Sequence, residues 1–560
     1  MFGGLSCMMR QIALRGGHTV AQSPEEIENN LIERLCWVVA RREDSRIARR
    51  LYHKELVDGV YPLDEAAVLD EFFHFLKEVG VLALMQQLHG EDIRREMVEF
   101  VQYVLLYQLK TLFGIHSMNA LPELLFSDEA VMRLVGFNAR QVQQGVCQRG
   151  AAKRGGSREE GPICPDTLAN NIVKLKVEAL EQFMNQVVQA LAKAGVLGKK
   201  VTGILDGTDL ETTQKYAGCG QVTRQKRVLD KQGRVQVMEV TVYGWKLVVL
   251  IDAQSKIPLA AKVVQIQVHE VNLLRELVQQ AQKNLLGYAA LGKVVMDKGF
   301  LDGEELWWLQ QQGILFVVPG KRDMAVVADA HALAEAGEGV VVERRMQIVA
   351  HGQGKGRWEE KLETEVVGIE GLISYDQYGT DEHTKQRHRK AFQGNAINGV
   401  VVRQWNNRDY GPGGKSVFLT NASVRKPLKV FDDYDDRSLI ENCCIKESKQ
   451  QWDLGHPPKK NQQAVQVHVL FTLVMFALAT AYRLMKEEEE GGQERVGWQR
   501  WRRQLLQQNR EKVIVFAEDC YGIFHLAEYS ILLGLKMKDL PRGIESPEAV
   551  LAKFGLQGHP

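Results

Sequence analysis

Cysteine is scarce in this chain: eight residues in 560, scattered, with no CxxC pair and no His/Cys grouping at zinc-ligand spacing. A disulfide-stapled scaffold and a zinc finger are therefore excluded. Cys443 and Cys444 are neighbours on an expected helix and cannot bridge easily, so a reducing compartment fits. Net charge is also nearly absent, formally +1, which neither supports nor excludes a basic groove balanced by acids elsewhere. The N-terminus lacks the charged-then-apolar pattern of a secretory signal, and no internal repeat is seen. One apolar run, "AVQVHVLFTLVMFALATAYRLM" (464–485), is long enough to span a bilayer. It holds Gln466, His468 and two threonines, stands alone and is flanked by acids as well as lysine, so a helix buried in a large core is expected and no membrane partner.

What is present is the composition of a folded protein, 45% apolar and 25% charged, which argues against global disorder. The length calls for several domains or one heavily interrupted domain. Basic residues gather locally in "RGAAKRGGSR" (149–158), "KQRHRK" (385–390), "HPPKK" (456–460) and "RWRRQ" (500–504). Each is either a solvated loop or a phosphate contact.

Residues 1–190 read as helical. "LDEFFHFLKEVGVLALMQQLHG" and "IRREMVEFVQYVLLYQLKTLFG" repeat apolar residues at three and four and end at Gly. The character changes at Val201. "VTGILDGTDL" is an apolar run into a Gly turn, and "VMEVTVYGWKLVVLIDA" and "KIPLAAKVVQIQV" are β-branched and read as paired strands. A helix, the strand "KVVMDKGF", the helix "DGEELWWLQQQG" and the strand "ILFVVPGK" follow, which predicts a mixed sheet with flanking helices over 198–325. Alternating segments with Gly-rich turns make 326–425 a β-rich insertion. Helices resume over 426–486, and 487–560 reads as a small C-terminal helical region.

Three acids stand out. Asp206 in "GILDGTD" and Asp297 in "VVMDKGF" are expected at strand ends near Gly, where a side chain is held rigidly and an ion can approach. In "YDDRSLIENCCIKESKQ" (434–450), helical spacing puts Tyr434, Arg437 and Glu441 along one face. Hard divalent cations take oxygen ligands, and two of them can hold the attacking and leaving oxygens of a phosphoryl displacement. Turn-capping aspartates and a solvated Glu are the plain structural alternative.

Together "LDGTDLETTQKYAGCG", "VVMDKGFLDGEELWWLQQQG" and "YDDRSLIENCCIKESKQ" resemble the DDE transposases of bacterial insertion sequences, in the cut-and-paste group marked by a Tyr-Arg-Glu-Lys signature. The likeness runs from roughly 120 to 530. It implies an α/β fold: a ribonuclease H-like core interrupted by a β-rich insertion before its Glu. It implies Asp206, Asp297 and Glu441 as catalytic metal ligands, and Tyr434, Arg437 and a lysine as DNA contacts. The family interval puts that lysine at Ser448. Lys449 is roughly 80° around a helix from Glu441 and Lys446 roughly 140°, so Lys449 is the assignment.

The resemblance also implies two Mg²⁺ ions, with Mn²⁺ as a substitute, and cleavage of transposon ends followed by attack of the 3′-OH on target DNA. The partners implied are double-stranded DNA (terminal inverted repeats and target) and a second copy of the chain in the DNA complex. A cytoplasmic, nucleoid-associated location in a bacterium or archaeon follows. In some relatives an aromatic residue of the insertion stacks on a flipped base. Trp358 and Trp405 lie in that region, with core packing the expected role of each. Trp307 and Trp308 read as helix packing, and His269 and Glu270 as residues that cap or orient a helix start, with a role near the metals as the alternative. End recognition is assigned to the N-terminal region, where Arg140, Gln141 and Gln144 are chemically able to read bases. The rival readings are a domesticated DNA-binding protein without catalysis and a metal-dependent nuclease that cuts without joining.

Overall fold

The computed structural model describes residues 40–63, 66–93, 98–145, 162–229, 235–337, 341–351, 358–377, 395–405, 415–435, 437, 444–489, 500, 503, 511–535 and 545–557. The chain divides into two compact units, Met1–Phe183 with Met485–Pro560, and Met184–Leu484.

In the first unit the two ends of the chain share a sheet. Strands β1 (Arg41–Arg42) and β2 (Gly59–Pro62) join β13 (Lys512–Ala517) and β14 (Cys520–His525) in the order β1-β14-β13-β2. The C-terminal region is therefore not simply helical, as the sequence reading expected. "KVIVFA" and "CYGIFH" are β-branched or aromatic runs around a tight turn, and they pair in antiparallel register from Lys512↔His525 to Ala517↔Cys520. Helix α1 (Asp44–Tyr52) buries Ile47, Ala48 and Leu51 against this sheet. The expected N-terminal helices include α2 (Ala66–Glu78) and α3 (Phe100–Leu112), the latter buried on all sides.

The second unit carries a ten-stranded sheet. Its first part comprises β3 (Lys200–Thr212), β4 (Gly220–Leu229), β5 (Val235–Asp252), β6 (Pro258–Gln265), β7 (Ala290–Met296) and β8 (Leu315–Pro319). β3 pairs antiparallel with β5, β5 antiparallel with β6, β3 parallel with β7 and β7 parallel with β8. The order β6-β5-β3-β7-β8, with helix α4 (Leu274–Leu285) before β7 and α5 (Gly303–Gln311) before β8, is the ribonuclease H-like core.

After helix α6 (Ala325–Ala336) come β9 (Val341–His351), β10 (Trp358–Leu372), β11 (Ile397–Trp405) and β12 (Lys415–Thr420). They form an antiparallel meander that extends the core sheet, because β12 pairs with β8 from Phe418↔Pro319 to Thr420↔Val317. Trp358 and Trp405 are 52% and 40% exposed, so neither fills the core position expected for it.

Helix α7 (Pro427–Asp435) lies on this sheet and is fixed by polar contacts. Lys293 of β7 pairs with Asp433 at 2.5 Å, Arg345 of β9 with Asp432 at 2.6 Å, and the Leu428 amide donates to Glu343 at 2.9 Å. Helix α8 (Lys446–Gln451) follows. The apolar run falls in α9 (Gln462–Glu489), whose most apolar window is 94% buried. His468 in that run is fully buried and bonds through Nε2 to the Asp453 carbonyl at 2.7 Å, while the Thr472 hydroxyl donates to the His468 carbonyl. Those partners are how polar residues are accommodated inside an apolar helix.

Candidate active site

Two parallel strands bring the aspartates together. On β3 and β7 Leu205 pairs with Met296, and the next residues are Asp206 and Asp297. The β7 pairing stops there. β3 does not, contrary to the expected Gly turn: it runs through Gly207, Thr208 and Asp209, held across the sheet by Val248, Leu247 and Lys246 of β5. Asp206 thus sits in mid-strand, whereas Asp297 directly follows β7 and caps the 3₁₀ turn Lys298–Phe300.

Each aspartate spends one oxygen locally. Asp206 Oδ1 accepts from the Gly207 amide at 2.8 Å and Asp297 Oδ1 from the Lys298 amide at 2.7 Å. The other oxygens converge. Arg437 Nη1 lies 3.3 Å from Asp206 Oδ2 and 4.0 Å from Asp297 Oδ2. Burial pushes the Asp206 carboxyl up to about 6, with Asp297 and Glu270 adding to the rise, while Arg437 and the Gly207 amide oppose it. The two acids and the arginine come from three separated stretches of sequence, so the convergence is a property of the fold.

Tyr434 closes on the same point. Its ring packs 4.6 Å from Phe418 of β12, and the Arg437 guanidinium lies 5.7 Å from its ring centroid. Burial raises the Tyr434 hydroxyl above its ordinary value, so it remains a neutral donor. On α8, Ser448 at the family's usual interval is buried, and Lys446 is exposed. Lys449 Nζ reaches back to β3, donating to Thr208 Oγ1 at 2.7 Å and to the Asp209 carbonyl at 3.1 Å. Of the residues assigned from sequence, Asp206, Asp297, Tyr434 and Arg437 meet, and Lys449 joins them along the β3 backbone. Glu441 lies outside the described residues.

A further acid, Glu270, lies close to the two aspartates. Glu270 opens the 3₁₀ turn Glu270–Leu273 after β6, and its carboxylate lies where side chains at Gly207 and Gly299 would be. Only the pairing of a Glu with two glycines near the aspartates could have signalled this, and strand reading does not reveal which glycine faces which side chain. His269 is the N-cap residue of that turn but makes no side-chain capping bond. Gln141 is buried and occupied in a capping box with Asn138, which removes it from base reading; Arg140 on the same short helix is exposed. The clusters at 149–158 and 385–390 lie outside the described residues.

Residues 197–478 match the family model described as the transposase DDE domain. The chain belongs to the transposase DDE domain family. No curated protein matches it. Among solved structures it is similar to one described as a piggyBac transposase synaptic complex with hairpin DNA, solved by cryo-EM. The TM-score is 0.35 at 10% identity, over 84% of this chain and 80% of that one.

As a transposase the protein acts on DNA, and its family uses divalent metal ions. The residues present fit such an ion. Two hard carboxylate oxygens face a common point, and the mostly buried one of them is costly to ionise without a cation beside it. In this structure the Arg437 guanidinium supplies that positive charge.

Proposed function

We propose that the protein cleaves the ends of a mobile DNA element and joins the freed 3′-OH to target DNA, in one active site. Asp206, Asp297 and Glu441 hold two Mg²⁺ ions, for which Mn²⁺ can substitute. The observation that supports this best is the convergence of Asp206 and Asp297 Oδ2 from adjacent parallel strands onto one cationic group. When bound, the ions supply positive charge at the reacting phosphate and acidify water.

The protein's own groups do the positioning. Lys298 and Gly207 amides fix one oxygen of each aspartate, leaving the other for a cation. Arg437 presents a planar fork of donors suited to a phosphate, braced by Tyr434, which α7 seats on the insertion sheet. Lys449 adds a point charge beside the strand that carries Asp206. No covalent protein–DNA intermediate is needed, so catalysis rests on orientation and charge.

The N-terminal region binds the element's ends mainly through phosphate contacts, and pairing two ends requires two copies of the chain. Bacterial insertion-sequence origin and a cytoplasmic location follow from the sequence motifs. Retention of both aspartates in facing register disfavours a decayed, DNA-binding-only copy.

The test is incubation of the intact protein with Mg²⁺, labelled DNA carrying the inverted repeats that flank its gene, and a target plasmid. Strand-transfer products are expected. Cleavage without joining would make it a nuclease, and a mobility shift without cleavage a binding protein.

A further inference from the structure

Glu270 is not accounted for by the three acids of the proposed site, yet the fold builds a place for it beside the segments that carry Asp206 and Asp297. Gly207 directly follows Asp206, and Gly299 is the second residue after Asp297. A Cβ at 207 would stand 2.8 Å from both Cδ and Oε1 of Glu270, and one at 299 would stand 2.9 Å from Oε2. Each distance is closer than a side-chain carbon can approach. Neither glycine is among the residues with positive φ, so the backbone at both positions suits any residue. What fills the space beside both glycines is the carboxylate itself, with one oxygen over each, and a side chain at either position would have to displace it.

The carboxylate is also held from the far side. Lys246 Nζ lies 3.2 Å from Glu270 Oε1 and donates to the Val268 carbonyl at 3.2 Å. Lys246 belongs to β5, where it is the cross-strand partner of Asp209 on β3. Both side chains are mostly buried, 12% exposed for Lys246 and 23% for Glu270. A glutamate that merely opened a short 3₁₀ turn would need neither the two glycines nor the lysine.

We propose that Glu270 is a positioning residue for the Asp206–Asp297 pair: its carboxylate, pinned by Lys246, wedges between the backbone segments that carry the two acids, fixes their separation and adds negative charge that strengthens divalent-cation binding. The inference rests on reading Asp206 and Asp297 as metal ligands. It acts through them, as groups outside a metal's own ligands do when they orient those ligands.

The test is Mn²⁺ titration of the intact protein without DNA, read by the electron paramagnetic resonance signal of free Mn²⁺. Glu270→Ala is expected to weaken binding by about tenfold, and Glu270→Gln, which keeps the shape and removes the charge, by less. Gly207→Ala, which shoulders the carboxylate aside, weakens binding as well. Combined with Glu270→Ala it adds no further loss, because the added methyl then has room. In end cleavage the Mn²⁺ midpoint moves by the same factor while the rate at saturating Mn²⁺ is unchanged, a split that a general loss of folding does not produce.

Asp206→Asn separates the two readings. If it abolishes Mn²⁺ binding while Glu270→Ala binds like the natural protein, the positioning role is overturned and the ligand assignment stands. If Asp206→Asn itself binds normally, the ligand assignment falls. Losses from Gly207→Ala and Glu270→Ala that simply add would overturn the wedge. Should circular dichroism show that Glu270→Ala is unfolded, Glu270→Gln and Gly207→Ala carry the test.

Discussion

Lys449 donates from Nζ to Thr208 Oγ1 at 2.7 Å, two residues beyond Asp206 on the same strand. Sequence spacing left two lysines to choose between, and only this one is tied to the strand that carries Asp206; Lys446 projects into solvent. Lys449→Ala is therefore expected to slow end cleavage by about tenfold, the worth of a charge-assisted hydrogen bond. It should also lower the salt slope of DNA binding by about one phosphate contact. Lys446→Ala should leave both near normal. Equal effects of the two changes in cleavage rate and in salt-titrated mobility shifts would remove Lys449 from the site.

Asp206→Asn, Asp297→Asn and Glu441→Gln should each abolish Mg²⁺-dependent cleavage while leaving binding to the inverted repeats intact. Each change removes a hard anionic oxygen and little volume. Cleavage assays paired with mobility shifts check this residue by residue, and near-normal cleavage by any one variant removes that residue from the ligand set.

The Asp206 carboxyl, raised by burial to about 6 from an ordinary 3.8, has a consequence for the metal-free protein. A raised folded value means that the native state binds the proton more tightly than the unfolded chain. The associated stability is fully present below about pH 4 and is lost as pH rises through about 6. At pH 7.5 the ionised, mostly buried carboxylate thus costs up to about 3 kcal/mol. Asp206→Asn should raise the melting temperature of the metal-free protein at that pH by a few degrees, and the gain should shrink toward pH 5. Calorimetry at the two pH values decides it; destabilisation at pH 7.5 would mean that the Arg437 contact outweighs the burial.

Binding to the element's ends should weaken steeply with salt, by at least ~tenfold between ~50 and ~200 mM, as release of condensed counterions demands. A flat response in fluorescence anisotropy would argue against an extended phosphate-tracking surface.

Much of this was legible in the residues. "VVMDKGF" and "ILFVVPGK" read as strands because buried parallel strands are continuous β-branched runs, and both are strands here. The insertion's four strands showed their alternation in the same way. The strand break expected at "LDGTD" failed because a glycine in extended conformation need not turn when a neighbouring strand holds it, as Val248 holds Gly207. The C-terminal hairpin went unread because its partners, Arg41–Arg42 and Gly59–Pro62, lie at the other end of the chain, beyond the reach of local pattern. Glu270 was undervalued for a related reason. Its meaning lies in two glycines and a lysine from three other elements, and no spacing rule in one segment encodes that.

The edge-to-edge joining of β8 with β12 has a practical corollary for anyone seeking a minimal catalytic fragment. Excising residues 326–425 would strip one flank of β8 bare, leaving unsatisfied amides prone to aggregation. It would also take away Arg345 and Glu343, two of the moorings under α7, and Phe418, the floor beneath Tyr434. The insertion is thus a foundation for the arginine's seat, and a truncated enzyme would have to rebuild that support before it could cut.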